Sequence, residues 1–244
     1  MNRIFHILLG LLFTTLSALP IIAQSVPATP QNVEVVPAPA VQLVQLLTDI
    51  GPIIIAIETE RAPITAANFL RYVDQLRLDG SVFYRSMRIG DGGLIQGGAR
   101  GDRVRVLRPI AHEPTTSTGL SHVNMTISMA RGAPGTADGD FFIIVGDQMI
   151  GLDANSSAAG DNLGYAVFGR LVQGEEVVRA ILFAPTNPTE GEGVMRGQML
   201  SPAIRIITAR RVARMPTNIE SPRPILRQPD NGSEAAPTPR SQRS

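Results

Sequence analysis

Spacing of apolar and polar positions divides the middle of the chain into short runs. Residues 41–47, 52–58, 126–130, 141–145, 165–170 and 203–209 are continuously apolar or alternate, and each is bounded by Gly, Pro or Asp, the pattern of β-strands. Two segments have a different period. Residues 63–76 begin with a helix-compatible Pro63 and place Ala66, Phe69, Leu70 and Val73 at intervals of three and four, which predicts one apolar helical stripe. Residues 174–181 repeat this over two turns through Val177, Val178 and Ile181. Many strands with only two helices exclude a doubly wound sheet, which needs a helix after nearly every parallel strand. A closed antiparallel barrel with its ends covered by the helices leaves no open edge, and a mainly β chain of that kind is expected.

The flanks carry no such period. Met1 to Arg3 is a short, weakly basic start, residues 4–19 are an apolar run, and Pro20 ends it before Ile21, Ile22 and Ala23. This is the layout of a secretory signal (1–23) with cleavage near Ala23, or of an uncleaved anchor if it is retained. Residues 24–40 contain Pro27, Pro30, Pro37 and Pro39 and read as a linker. From Met215 onward Pro216, Pro222, Pro224, Pro229, Pro237 and Pro239 are spaced by polar residues, so 215–244 is expected to be a disordered tail. One domain over 41–214 remains, expected in a periplasm or outside the cell.

Composition narrows the chemistry. The 22 basic residues, all Arg, nearly balance 21 acidic ones, which gives little support to a general nucleic-acid-binding role. With no Cys there is no disulfide, thiol nucleophile or thiolate metal site, and His6, His112 and His122 have no metal-ligand spacing. Gly90, Gly92, Gly93, Gly97, Gly98 and Gly101 lack the phosphate-binding spacing and a following helix, so they are assigned to tight turns and close backbone approach. Glu175 and Glu176 open the second helix, where the helix dipole accounts for them.

The order of several short segments resembles the cyclophilin family of peptidyl-prolyl cis-trans isomerases. They are Gly51-Pro-Ile-Ile-Ile-Ala-Ile-Glu58, Ala62-Pro-Ile-Thr-Ala-Ala-Asn-Phe69, Phe83-Tyr-Arg85, Leu94-Ile-Gln-Gly-Gly98, Glu113, Ser128-Met-Ala-Arg131, Phe141-Phe-Ile143 and Tyr165-Ala-Val-Phe-Gly169. The resemblance implies an eight-stranded closed antiparallel barrel capped by two α-helices. It also implies catalysed rotation about the bond preceding proline in polypeptides, without a cofactor.

On the residues alone, Arg85 could be a surface arginine lying across an apolar patch, and Gln96 a turn residue before Gly97 and Gly98. The resemblance makes Arg85 the catalytic arginine and Gln96 the glutamine that orients it and the substrate carbonyl. It makes Phe142 the floor of a proline pocket, with Leu94 and Leu152 beside it. Arg131 is implied at the pocket rim through its backbone, its side chain expected to face solvent. Tyr165 stands at the rim with a hydroxyl that can face substrate, or is a buried core tyrosine.

Several positions depart from the family pattern. Tyr84 replaces the histidine of the Phe-His-Arg motif and is read as structural, since prolyl rotation transfers no proton. The segment between Arg85 and Leu94 reads as a loop about three residues longer than usual, and Gly93 replaces an aromatic that walls the pocket. Asp140 replaces a glutamine and is expected to draw Arg85 into an ion pair or to repel a peptide carbonyl. Residues 152–160 form an expanded polar loop, either shaping peptide choice or inserted neutrally. His122 is expected to be a hydrogen-bonded structural histidine. The expected function is folding assistance to exported proteins by a soluble mature domain of open oligomeric state. The alternative is a catalytically weak peptide-binding or chaperone module.

Overall fold

A computed structural model describes residues 40–213. The expected export segment 1–23, the linker up to Pro39, Arg214 and the tail 215–244 lie outside the described residues. Nine strands form one sheet: β1 (Val41–Thr48), β2 (Gly51–Glu58), β3 (Val82–Ile89), β4 (Gly92–Gly98), β5 (Thr126–Met129), β6 (Asp140–Val145), β7 (Ala166–Gln173), β8 (Thr186–Asn187) and β9 (Met199–Val212). Their order is β1-β2-β7-β5-β6-β4-β3-β9-β8, and β9 also pairs with β1. Every pairing is antiparallel, so eight strands close into a barrel and β8 adds outside it. The expected barrel is therefore the observed one.

Two of its strands were not expected. The segment 82–98 is a hairpin, with Ile89 opposite Gly92 across a tight turn in which Gly90 has φ 61°. The extra residues after Arg85 therefore lengthen two paired strands and do not make a loop. Glycines at 90, 92, 93, 97 and 98 and the charges at 85 and 88 hide the alternation.

The barrel interior follows from the inward positions of each strand. Val44 and Leu46 meet Ile53, Ile55 and Ile57, while Phe141 packs edge-on to Phe69 (5.4 Å) and Phe83 (5.7 Å). Helix α1 (Pro63–Asp74) packs on β7 and β9, and α3 (Glu175–Leu182) packs on β2, β3, β4 and β6. A single helical turn, α2 (Thr115–Thr118), lies between β4 and β5. The start of α1 has no side-chain cap of its own. Glu113 supplies one from a distant segment, accepting from the backbone N–H of Ile64 (3.2 Å) and Thr65 (2.9 Å) and from the Thr65 hydroxyl (2.7 Å). This helix ends two residues earlier than its apolar stripe predicts. Leu76 takes φ 56°, and Arg77 N–H turns back to the Tyr72 carbonyl (2.8 Å), closing the last turn.

Candidate active site

Strand alternation builds a second, smaller cluster on the outer face of the same barrel wall. In β6, Phe141, Ile143 and Val145 point into the barrel, while Phe142 and Ile144 point outward. Register places Phe142 opposite Gln96 and Ile144 opposite Leu94 of β4, and Met87 opposite Leu94 from β3. Met149, Leu152, Ala130 and Tyr165 pack around this outer group.

Local irregularity in β3 brings polar groups to it. Between Phe83 and Arg85 the register shifts against both neighbours: Tyr84 is the extra residue opposite β4, whereas opposite β9 the extra residues belong to β9. Such a bulge re-aims side chains, and Tyr84 and Arg85 both reach Gln96. Arg85 Nη1 donates to Gln96 Oε1 (2.9 Å), Gln96 Nε2 donates to the Tyr84 hydroxyl (2.6 Å), and that hydroxyl donates to Asp140 Oδ2 (3.0 Å). Arg85 Nε donates to Gln198 Oε1 (2.8 Å) and Nη2 approaches Met87 Sδ (3.6 Å). Three of the five guanidinium N–H bonds are thereby engaged, which leaves two without an acceptor among the described residues.

Above these groups opens a cavity of about 550 Å³. Arg85, Gln96, Leu94, Arg131, Asp140, Phe142, Leu152 and Tyr165 all line it, so the eight residues given catalytic or binding roles from the sequence are brought together in one place. Met87, Ala130, Gly132, Thr136, Asp138, Met149, Val194 and Met195 complete the lining and were not foreseen. Their signal is absent from local sequence, since they arrive from a hairpin, two loops and a β-connection.

Two expectations about these residues are corrected. Asp140 makes no ion pair with Arg85 among the described residues. Its second oxygen accepts instead from the Arg100 backbone N–H (2.7 Å), so the carboxylate is turned toward the end of β4 and reaches Arg85 only through Tyr84 and Gln96. The Arg131 side chain does not face solvent; only 3% of it is exposed. It donates to the Gly164 carbonyl and to Asp161 Oδ2 (2.5 Å), and lies over the Tyr165 ring (5.0 Å). At Gly93 the backbone itself excludes a larger side chain. Its φ is 138° and a Cβ there would lie 1.9 Å from the Met87 carbonyl, and flexible Met87 and Met149 side chains line the cavity beside it.

Electrostatics follow from burial. Desolvation pushes the Tyr84 phenol well above its ordinary value, reinforced by Asp140. Burial likewise raises the Asp140 carboxyl, against the hydrogen bonds from Arg100 and Tyr84. For Arg85, burial lowers the guanidinium from its usual value while Tyr84 and Tyr165 act the other way, and a group that basic stays charged at neutral pH.

The floor is held from below by His122. Burial lowers its pKa, opposed by Asp153, so it is neutral near pH 7. Nδ1 meets Asp153 Oδ1 at 2.5 Å and Nε2 meets Ser128 Oγ at 2.9 Å. An acceptor carboxylate requires the proton on Nδ1, so Ser128 donates to Nε2. The fixed ring stacks on Phe142 (6.1 Å, 10°), and Tyr165 meets Phe142 edge-on at 5.5 Å. Tyr165 is half-buried at the rim and not in the barrel core. Residues 151–164 are stitched to the rim by Arg131, by Ala154 N–H to the Thr115 hydroxyl (2.9 Å) and by Tyr165 N–H to the Leu152 carbonyl (2.9 Å).

Comparison with known proteins agrees with this geometry. The family model for cyclophilin type peptidyl-prolyl cis-trans isomerases matches residues 43–209. A peptidyl-prolyl cis-trans isomerase of Streptomyces antibioticus is 37% identical over 151 residues, covering 61% of this chain and 87% of that protein. One from Acinetobacter baylyi is 35% identical over 149 residues, covering 59% and 74%. The crystal structure of a cyclophilin type isomerase from Cryptosporidium parvum superimposes with a TM-score of 0.55 at 20% identity, over 72% of this chain and all of that one, a likeness of fold.

Proposed function

The chain belongs to the cyclophilin-type peptidyl-prolyl cis-trans isomerases, and from that premise we propose how its site works and where. The family's reaction is rotation about Xaa-Pro bonds in polypeptides. The uncatalysed barrier is about 18–20 kcal/mol because the twisted amide loses its resonance. In the twisted state the prolyl nitrogen regains a lone pair, so a donor aimed at it binds that state better than either planar isomer. Arg85 is that donor, and its two N–H bonds without an acceptor among the described residues are what carries the reading. Gln96 fixes Arg85 through its oxygen and, lining the same cavity, orients the peptide carbonyl.

Phe142, Leu94, Leu152 and Met87 receive the pyrrolidine ring. A ring of roughly valine size gains about 1.5–3 kcal/mol on full burial, enough to hold proline while the chain on one side turns. Arg131 and Tyr165 frame the rim, with Arg131 acting through the backbone and the loop it holds. Asp140 stabilises Tyr84 and the end of β4, and no proton transfer is asked of it.

The clients are exported proteins whose folding waits on proline, an uncatalysed step of tens to hundreds of seconds. The support is the apolar N-terminal run closed by Pro20 and Ala23 and the Pro-rich segment after it. Mass analysis of the protein from fractionated cells should find a mature N-terminus near Gln24 outside the cytoplasm. Intact Met1 throughout the cytoplasmic fraction would overturn the export reading and leave the isomerase reading standing.

A further inference from the structure

Gln198 lies on the segment 188–198 that joins β8 to β9, 113 positions from Arg85. Both ends of its side chain are in use. Oε1 accepts from Arg85 Nε (2.8 Å) and Nε2 donates to the Val194 carbonyl (2.7 Å). Its backbone is pinned as well, with its carbonyl accepting from Ser86 N–H of β3 (2.9 Å) and its N–H donating to the Met195 carbonyl (3.1 Å). The segment closes on itself through Gly197 N–H to the Glu190 carbonyl (2.8 Å). It carries Val194, 86% exposed, and Met195, 36% exposed, onto the cavity lining.

We propose that Gln198 is a positioning residue for the isomerase reaction: it fixes the plane of the Arg85 guanidinium and ties that plane to the segment bearing Val194 and Met195. The proposal rests on the role given to Arg85. Without Gln198 the guanidinium is held at Nη1 by Gln96 and at Nη2 by the weak sulfur contact of Met87, and can swing about its long side chain. A second acceptor on Nε fixes its rotation, and the directions of the two remaining N–H bonds follow from the planar fork. A donor set in place before the bond twists needs no reorganisation at the transition state. Only an amide suits both contacts, because one partner is a donor and the other a carbonyl. A carboxylate would set an oxygen against the Val194 carbonyl, and a thioether would offer neither bond.

The test uses the full chain and a proline-containing peptide, with cis–trans exchange followed by NMR so that kcat and KM separate. Gln198→Met should lower kcat about tenfold, equivalent to about 1.4 kcal/mol, with KM changed less than about twofold. In an Arg85→Lys background the same substitution should cost nothing further, since it acts through the guanidinium. In the unsubstituted protein, Arg85 Nε–H should exchange with water at least about tenfold more slowly than Nε–H of exposed Arg103, a readout that survives if the variant does not fold. Wild-type kcat in folded Gln198→Met, an undiminished further loss in the lysine background, or fast Arg85 Nε–H exchange would each overturn the proposal. If Arg85→Lys is itself fully active, the role of Arg85 falls and this one with it. If Arg85→Lys is impaired and Gln198→Met is not, only the role of Gln198 falls.

Discussion

Phe141 and Phe142 are neighbours in one strand, yet they serve opposite faces of the barrel wall. Phe141 is sealed among Phe69 and Phe83 inside the barrel, where each contact is apolar and the strand period alone decides membership. Phe142 floors a cavity whose rim is polar, and its orientation is set by His122, Tyr165 and strand register to Gln96. The inner face is a packing problem solved by alternation. The outer face needs alternation to be interrupted, at the Tyr84 bulge, before its polar groups can meet.

That contrast predicts how substitutions divide. Phe141→Ala should cost about 3–5 kcal/mol in urea unfolding, the range for a large aromatic removed from a core. Phe142→Ala should cost less than about 2 kcal/mol and appear chiefly as a rise in KM for proline peptides. Equal stability losses at the two positions would show that the outer cluster is simply more core.

Tyr84→Phe removes the hydroxyl that links Gln96 to Asp140. Leaving buried polar partners unmatched should cost about 1–3 kcal/mol, read by unfolding, with a fall in kcat from the loosened Gln96. An unchanged stability would mean that water or Arg100 replaces the hydroxyl without cost.

Asp140 should give the outer face its own pH signature. Its carboxyl is raised by burial, so the folded protein holds that proton more tightly than the unfolded chain. Its contribution to stability is full below the ordinary carboxylate pKa, about 3.9, and is lost as pH rises through the raised folded value. Asp74 and Asp79 run the other way, lowered by hydrogen bonds from Arg211 and Arg210, with stability lost as pH falls through their depressed values. The stability of Asp140→Asn relative to wild type should therefore improve as pH rises across the carboxylate range. A difference independent of pH would contradict the shift.

The smallest effect is expected at the rim. Replacing Val194 and Met195 together by Ala should raise KM by about threefold, the size of a partly shared apolar contact, and leave kcat unchanged. A fall in kcat at unaltered KM would assign the segment to the chemistry instead of to binding.

Legibility in the sequence follows the same division. Helix α1, helix α3 and strands β1, β2, β5, β6 and β7 are readable because their period is regular. Strands β3 and β4 are not, because glycines placed for close backbone approach and a bulge placed for function erase that period. Arg85, Gln96 and Phe142 are legible through short motifs that resemble a family's, and they line one cavity. Gln198 has no such trace, since it meets Arg85 across 113 positions from a segment without repeat or motif. Arg131 shows the same gap: its residue type suggests solvent, and only the fold of residues 151–164 over it supplies Gly164 and Asp161 as partners.

On the proposed mechanism, the fixed donor plane of Arg85, and not its charge alone, accelerates prolyl rotation. Arg85→Lys keeps the charge and discards the plane. NMR exchange on a proline-containing peptide, with the fold of the variant verified by its own spectrum, should show kcat/KM reduced at least about tenfold, or about 1.4 kcal/mol of transition-state stabilisation. Equal turnover by the folded lysine variant and the wild type would contradict the account.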